Sequence, residues 1–332
     1  MNTTVLKRCA VAVLVALLVL PLAGAVAEWR LAAAGRSAHP MPGTLVDVGG
    51  HRLHLVREGS GGPTVVLESG SGEAASSWTA VAGELARDTT VVRYDRAGYA
   101  WSEPADGPRT GEEITAELHA ALDRVGAPKP YVLVGHSMGG LYARQFAQRY
   151  PGDVAGLVLV DARPEDDARR TAPLLEGVTT ATSLPPWIPA TLKTLGLLRA
   201  ADDTLLQGLV PPDQRREFLD VTASPSYFGT KQREADLIGR TEDAVRGRHL
   251  GDLPLRVVAR GLPQDYAAAG IDTTTGAELE KIWQDGQRRM LRLSTRSRLV
   301  VAGRSGHLVP HEQPGVVVAA VREVLTEGTT RP

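Results

Sequence analysis

The sequence predicts an α/β protein with a mostly parallel central sheet, helices on both faces and a helical cap inserted after the strand that ends near Val160. Short apolar runs alternate with helical patterns along most of the chain, which is typical of parallel strands that are buried on both faces. The alternation stops between residues 163 and 250, where prolines are frequent and no convincing strand is found. We expect this segment to cover the carboxyl edge of the sheet, where ligands enter such folds.

The first 27 residues differ in composition from the rest. Lys7 and Arg8 precede an apolar run over residues 9–27. Ala25-Val26-Ala27 fits a signal-peptide cleavage site, but the run is also long enough to span a bilayer as an anchor. Both alternatives predict an extracytoplasmic protein, either secreted or attached to the membrane through residues 1–27 if they are not cleaved. The only cysteine, Cys9, lies in this run, so we expect no disulfide in the exported part.

The remaining chain divides by composition into four parts. Residues 28–42 are rich in Ala, Gly and Pro and are predicted to be a spacer. We assign residues 43–162 to the first part of the core, 163–250 to the cap and 251–328 to the second part of the core. The 37 basic and 38 acidic residues are dispersed, so there is no basic face that would indicate a nucleic-acid partner.

The core begins with a hairpin signal, because residues 45–48 and 52–56 flank Gly49-Gly50. Thr110 and Glu113 predict a capping box at the start of a helix. The further apolar runs predicted to be strands are residues 64–67, 90–94, 131–134, 154–160, 255–259 and 297–302.

The strand at residues 131–134 ends on Gly135-His136-Ser137-Met138-Gly139, a G-x-S-x-G pattern that is followed by a helical segment. The turn needs glycine two residues before and after the serine, because a Cβ there would keep the strand and the helix apart. The Ser137 hydroxyl then lies at a helix N-terminus, where free N–H groups favour a developing negative charge. We therefore predict that Ser137 is a catalytic nucleophile.

The chain carries Gly-His-Ser-Met-Gly-Gly at 135–140, Tyr-Asp-Arg-Ala-Gly-Tyr-Ala-Trp-Ser at 94–102 and Ser-Gly-His-Leu-Val-Pro-His-Glu-Gln-Pro at 305–314. Together these three motifs resemble the α/β-hydrolase superfamily. The resemblance covers the chain from about Gly43 to the final helix and implies the α/β-hydrolase fold. Serine at the elbow argues against the dehalogenase and epoxide hydrolase branches, which use an aspartate nucleophile there.

A serine nucleophile needs a base with a pKa near neutrality, and histidine is the natural choice. His307 is the predicted base, because it follows the last strand at the same sheet edge as Ser137. His311 is a second candidate, whereas the His136 side chain should diverge from its neighbour at the elbow. The other histidines considered lie on elements with no reason to reach the site: His51, His54 and His119.

The acid that orients the base is ambiguous. Asp161 directly follows the strand that ends at Val160, and Asp265 follows the next predicted strand by a few residues. The family commonly places its acid near Asp265, although some members place it after the earlier strand. We favour Asp161 and keep Asp265 as the alternative, and we expect Asp95 to stabilise its own turn.

The tetrahedral intermediate needs two N–H donors for its oxyanion. The resemblance implies that these are the backbone N–H groups of Met138, directly after the nucleophile, and of Ser71, in the loop after residue 67. Ser69 replaces the histidine that the family frequently has in this loop, which removes a side chain but no backbone donor.

We therefore expect a serine esterase that forms an acyl-enzyme on Ser137, acts on a small-molecule acyl substrate and requires no metal or cofactor. One alternative is an aminopeptidase or amidase, which would hold a substrate amine with acidic residues of the cap, at 165–167 or at Asp202-Asp203. A non-catalytic ligand-binding or sensor protein on the same fold is an alternative from another class.

Overall fold

The computed structural model describes residues 3–178, 184–207 and 209–328. Within the first helix, the side chains of residues 3, 6, 9–14 and 16–18 are outside this description, and with them Cys9 and much of the predicted signal or anchor segment. The chain forms two compact units. The smaller unit contains Met1–Met41 and Leu184–Gly229, and the larger unit contains Pro42–Ser183 and Thr230–Pro332.

The larger unit is built on one eight-stranded sheet with the order β1-β2-β4-β3-β5-β6-β7-β8. Its strands are β1 (Thr44–Asp47), β2 (Arg52–Glu58), β3 (Thr64–Glu68), β4 (Val91–Tyr94), β5 (Tyr131–His136), β6 (Val154–Val160), β7 (Leu255–Arg260) and β8 (Ser297–Ala302). β2 pairs antiparallel with β1 and β4, and every other pairing is parallel. The predicted hairpin and the mostly parallel sheet are confirmed.

Helices separate most of these strands along the chain. They are α1 (Thr3–Ala38), α2 (Thr79–Leu85), α3 (Gly111–Arg124), α4 (Gly139–Arg149), α5 (Asp167–Thr171), α6 (Trp187–Thr194), α7 (Leu197–Ala200), α8 (Asp202–Leu205), α9 (Arg215–Glu217), α10 (Pro225–Asp236), α11 (Ile238–Val245), α12 (Thr273–Met290), α13 (Val309–Glu312) and α14 (Pro314–Gly328). α3 begins at the predicted capping box, in which the Thr110 N–H donates to the Glu113 carboxylate over 2.9 Å.

Two apolar cores hold the helices against the sheet. On one face, Trp78 and Leu85 of the α2 region join Val317 and Val321 of α14. On the other face, α3, α4 and α12 pack against the sheet, with Phe146 of α4 fully buried. Because both faces are covered, the central strands are apolar along their whole length, which explains the continuous runs in the sequence.

The prediction of a spacer at residues 28–42 is wrong for most of this stretch, which is helical and belongs to the smaller unit. α1 continues through this stretch to Ala38, because its alanines favour helix and its Glu28 is only 4% exposed and engaged inside the unit. The Glu28 carboxylate accepts hydrogen bonds from Lys193 and from Arg199 Nε, the latter over 2.8 Å. Among the residues whose side chains are described, no helix is long and apolar enough to cross a membrane.

The predicted cap at residues 163–250 is divided between the two units. Its first and last parts belong to the larger unit, where ion pairs tie them to the core or to each other. Arg163 Nε donates to Glu242 over 2.7 Å, and Arg96 Nε donates to Glu234 over 3.0 Å. Only Leu184–Gly229 joins the smaller unit. Residues 179–183 and 208 of the predicted cap lie outside the described residues.

Candidate active site

Ser137 lies on a sharp turn between β5 and α4. Its φ of +51° is in the left-handed region, which a serine adopts only under strain. The turn is held on both sides of the serine, because its N–H donates to the Val160 carbonyl and its own carbonyl accepts from Arg163 N over 2.8 Å. A Cβ on Gly135 would lie 2.5 Å from the Gly139 carbonyl oxygen, so this close approach requires glycine.

The structure brings three of the predicted site residues into one hydrogen-bonded chain. His307, on the loop after β8, has its Nε2 3.0 Å from Ser137 Oγ and its Nδ1 2.6 Å from Asp161 Oδ2. The Nδ1–H donates to the carboxylate, which leaves Nε2 to accept the serine proton. The Asp161 side chain is fully buried, whereas that of His307 is 28% exposed. This arrangement gives the serine a base and the base an orienting acid.

The Asp161 carboxylate receives more donors than the histidine alone. Arg260 Nη1 donates to Oδ2 over 2.8 Å, and Trp283 Nε1 donates to Oδ1 over 3.0 Å. Burial by itself would raise the pKa of Asp161, but the His307 hydrogen bond and charge, the Arg260 charge and the Trp283 hydrogen bond hold that pKa well below its usual range. Asp161 is therefore ionised wherever the protein is folded at ordinary pH.

Asp265, the alternative acid, is not brought to the histidine. It is exposed in the loop after β7, and its carboxylate accepts from the Ala268 N–H over 3.1 Å. Asp95 is buried and accepts from His54 Nδ1 over 2.7 Å and from the Ala75 N–H, so it stabilises more than its own turn. Of the other histidines, His119 contacts Asp153 on the surface of α3.

The loop that follows β3, residues 69–73, lies against the elbow. It is called the oxyanion loop for the role that the resemblance implies. It carries Ser71, and a Cβ on Gly139 would lie 2.5 Å from the carbonyl oxygens of Glu68 and Ser69. Arg96 stabilises the loop, because its guanidinium donates to the backbone carbonyls of Ser69 and Gly70 over 2.6 and 2.8 Å. Met138, the other predicted donor, directly follows Ser137 at the start of α4.

Arg96 is only 1% exposed and is neutralised by two buried carboxylates. Its Nη1 lies 2.9 Å from Glu68 Oε1, and its Nε lies 3.0 Å from Glu234 Oε1. Burial raises the pKa of Glu68 to about 7, although the charge of Arg96 opposes the shift. Of the residues near the site, Arg260 could have been suspected from its place at the carboxyl end of β7. No sequence pattern indicated Trp283, Glu73 or Glu234.

The acidic residues considered for binding a substrate amine are already engaged. Glu165 accepts from Arg144, Asp166 accepts from Arg289 over 2.9 Å, and Asp167 lies 3.1 Å from Arg163. Within the smaller unit, Asp203 accepts from Arg215 over 2.6 Å, and Asp202 accepts from the Asp203 N–H over 2.9 Å. In the part of the chain that the structure describes, no group of three His, Cys, Asp or Glu side chains could hold a metal ion.

A mostly parallel sheet, a serine on a strained strand-to-helix turn and a histidine between that serine and a buried aspartate define the class of hydrolases with an α/β core. The model of the alpha/beta hydrolase family matches residues 65–321. The chain belongs to this family, as its motifs predicted.

Similar proteins are known from fungi and bacteria. The chain is 28% identical over 304 residues to the probable transporter efuK of Hormonema carpetanum, covering 85% of this chain but only 42% of efuK. It is 27% identical to the 2-hydroxy-6-oxo-2,4-heptadienoate hydrolase of Pseudomonas putida, covering 85% and 96% of the two chains. A thermophilic esterase from Thermogutta terrifontis shares the fold, with a TM-score of 0.58, 23% identity and coverage of 84% and 95%.

Proposed function

We propose that this chain is a serine hydrolase that cleaves a carboxylic ester, or a similar acyl bond, of a small-molecule substrate through an acyl-enzyme on Ser137. The observation that carries the proposal is the continuous hydrogen-bonded chain from Ser137 Oγ through His307 to Asp161. In the proposed reaction His307 Nε2 takes the serine proton as Oγ attacks the carbonyl carbon, and the same proton then passes to the leaving alcohol. Water activated by His307 releases the acyl group and restores Ser137.

The backbone N–H groups of Met138 and Ser71 are the proposed oxyanion donors. Support comes from their placement, one at the start of α4 and one in the loop that packs against the elbow. Each such donor is worth about 3–4 kcal/mol of the barrier in serine hydrolases. The serine at the elbow favours this mechanism over those of family branches with an aspartate nucleophile. The engaged acidic residues favour an ester over a substrate that carries a free amine.

The test is hydrolysis of short-chain and medium-chain p-nitrophenyl esters by the full chain, beside Ser137→Ala. The hydrolase from Pseudomonas putida supports adding its named substrate, 2-hydroxy-6-oxo-2,4-heptadienoate, to the panel. We expect turnover by the wild type, none by Ser137→Ala, and covalent labelling by a fluorophosphonate that the same substitution abolishes. A wild type that is inert on the whole panel and is not labelled would favour the ligand-binding alternative.

We also propose that the protein is extracytoplasmic and keeps its N-terminal segment as a membrane attachment. Support comes from the apolar run behind Lys7 and Arg8 and from the smaller unit, in which Gly24 and Glu28 lie on either side of the candidate cleavage site. A Cβ on Gly24 would lie 2.6 Å from the Leu195 carbonyl oxygen, so α1 packs closely there. Cleavage after Ala27 would remove this contact.

The intact mass of the protein purified from a membrane fraction tests retention. We expect a species that still contains residues 1–27 and that remains with the membranes after an alkaline wash. A mature protein that begins at Glu28 and is found in the soluble exported fraction would show that the segment is a cleaved signal peptide.

A further inference from the structure

A second histidine, His136, lies beside the proposed base and has no part in the mechanism above. Its side chain is 1% exposed, and its ring centroid lies 4.8 Å from that of His307. His136 Nδ1 is 2.9 Å from Glu73 Oε2, and its Nε2 is 2.8 Å from the backbone carbonyl oxygen of His307. Both ring nitrogens of His136 therefore face oxygen atoms.

These two partners determine the protonation state of the ring. A carbonyl oxygen can only accept a hydrogen bond, and the same is true of an ionised carboxylate. Both ring nitrogens of His136 must therefore carry a proton. Burial by itself would lower the pKa of His136, but the charge and hydrogen bond of Glu73 raise it overall. Burial by itself would raise the pKa of Glu73, but His136 and the Gly70 N–H lower it overall. The ring is then an imidazolium paired with a carboxylate.

The pair joins two loops that the reaction needs. Glu73 Oε2 also accepts from the Gly70 N–H over 2.8 Å, so it closes the oxyanion loop on itself next to Ser71. At the other end, His136 binds the backbone carbonyl of His307, and His136 directly precedes Ser137 in the chain. A single charged link therefore runs from the oxyanion loop through the elbow to the base.

We propose that His136 and Glu73 are positioning residues whose charged bridge fixes the oxyanion loop and the His307 loop in relation to Ser137. The effect of the bridge on catalysis rests on the proposed hydrolase function, whereas its effect on the position of the two loops does not. The bridge acts through the geometry of other groups and touches no reacting atom. A displacement of a catalytic group by about 1 Å can lower the rate roughly 100-fold. We therefore expect loss of the bridge to slow the reaction strongly.

Other charged groups face the bridge. The Lys231 side chain on α10 lies close enough to Glu73 to interact with its charge, as His307 does, and the Asp161 charge acts on His136. Trp78 covers the His136 ring, with its indole edge-on at a centroid distance of 6.5 Å.

Two substitutions separate the charge of the bridge from the link itself. In Glu73→Gln, the amide would accept from the Gly70 N–H and donate to an unprotonated His136 Nδ1, which keeps a neutral link. Glu73→Gln thus removes charge, whereas Glu73→Ala removes the link.

The first test is structural and independent of any substrate. We expect the ring nitrogens of His136, assigned with His136→Asn in ¹⁵N-histidine-labelled full-length protein, both to be protonated at pH 7, and one to be unprotonated in Glu73→Gln. In Glu73→Ala, amide hydrogen exchange of residues 69–73 and 304–308 should rise by about tenfold or more. Glu84→Ala, which removes an exposed carboxylate of α2, is the control and should leave both loops unchanged.

The second test is kinetic. We expect Glu73→Ala to lower kcat on p-nitrophenyl esters by roughly 100-fold with KM within about threefold, and Glu73→Gln to fall between it and the wild type. An unprotonated nitrogen on wild-type His136 overturns the charged bridge. Unchanged exchange in both loops of Glu73→Ala, or an unchanged kcat, overturns the positioning role. If exchange rises but no variant hydrolyses esters or reacts with a fluorophosphonate, the bridge stands and the proposed function fails.

Discussion

At the scale of single residues, the proposed acid is distinguished by how completely its oxygens are used. Four hydrogen bonds reach the Asp161 carboxylate: from His307, from Trp283, and from the side chain and backbone N–H of Arg260. The carboxylate cannot rotate without breaking several of them. His307 therefore meets an acceptor of fixed direction, which in turn fixes the ring that faces Ser137.

The first prediction compares the two candidate acids. Asp161→Asn should lower kcat by roughly 10³–10⁴-fold, because an amide at this position favours the wrong tautomer of the base. Asp265→Asn should stay within about twofold of wild type, because the Asp265 carboxylate caps only its own exposed turn. Steady-state hydrolysis of a p-nitrophenyl ester measures both variants. The reverse ranking would move the acid to Asp265.

The second prediction concerns the pH dependence of stability. The lowered pKa of Glu73 contributes stability that is present above its ordinary value of 4.5 and is lost as pH falls. The raised pKa of His136 contributes stability that is present below its ordinary value of 6.5 and is lost as pH rises through the raised value. The difference in unfolding free energy between wild type and Glu73→Gln should therefore be largest between those two values.

Urea denaturation at pH 5.5 and pH 9 measures this difference for Glu73→Gln, with Glu84→Gln as the control. We expect the gap to shrink at the higher pH for Glu73→Gln alone. A gap that widens at pH 9 would show that the pair does not titrate as described.

At this scale the sequence indicated Ser137 as the candidate nucleophile and favoured His307 over His311 as the candidate base. Ser137 and His307 lie in motifs whose position relative to strands is fixed by local chain geometry. The acid was ambiguous because Asp161 and Asp265 each follow a strand, and their distance from His307 depends on how the loops fold. Glu73 and Trp283 were missed because their roles depend on contacts across the fold that no local pattern records.

At the scale of elements, close contact between α4 and the end of β6 places the elbow next to Asp161. A Cβ on Gly140 of α4 would lie 2.4 Å from the Cβ of Ala162, the residue after Asp161. Both atoms are attached directly to the backbone, so the clash can be relieved only if the helix or the loop moves.

The third prediction follows from this contact. Gly140→Ala should destabilise the protein by about 1–3 kcal/mol and lower kcat, because the shift displaces the Asp161 loop. Gly83→Ala is the matched control: Gly83 also lies in a helix, α2, but a Cβ there meets nothing within 4 Å. That substitution should stabilise by about 0.5–1 kcal/mol through helix propensity. Denaturation midpoints measure both, and a stabilised Gly140→Ala would contradict the packing argument.

The sequence predicted the strands of the sheet well, because burial on both faces leaves an apolar run that needs no tertiary information. The stretch after residue 28 was misassigned as a spacer. Its small residues permit either loop or helix, and the choice is made by contacts in the smaller unit, chiefly those of Glu28 with Lys193 and Arg199.

At the scale of the whole molecule, the smaller unit joins a segment from the start of the chain to one from its middle. Ion pairs link the two segments, since the nearly buried Glu28 of the first lies beside Lys193 and Arg199 of the second. Hydrogen bonds from these cations lower the pKa of Glu28, against the effect of burial, so the carboxylate is charged. Loss of one partner would leave charges unpaired in a poorly hydrated site.

The fourth prediction is that Glu28→Ala loosens the smaller unit without unfolding the larger one. Breaking a buried pair typically costs about 3–5 kcal/mol, and we expect that loss to be local. Hydrogen exchange should rise in residues 184–207 and 209–229 and remain unchanged across β5 and β6. Arg30→Ala, which removes an exposed charged side chain of the same helix, is the control and should have little effect. An equal rise in hydrogen exchange in both units would contradict the expectation that the loss of stability is confined to the smaller unit.

The hydrogen-bonded chain of the site also has a consequence for synthesis of the protein. His307 is 170 residues from Ser137 and 146 from Asp161 along the chain, and β6 pairs with β7 only after an intervening segment of more than ninety residues. Such non-local contacts form late, because closing long loops costs entropy before any contact repays it. A chain leaving the ribosome therefore presents Ser137, the proposed nucleophile, before His307, the proposed base, has been made. The proposed activity would begin only when the last strand is in place.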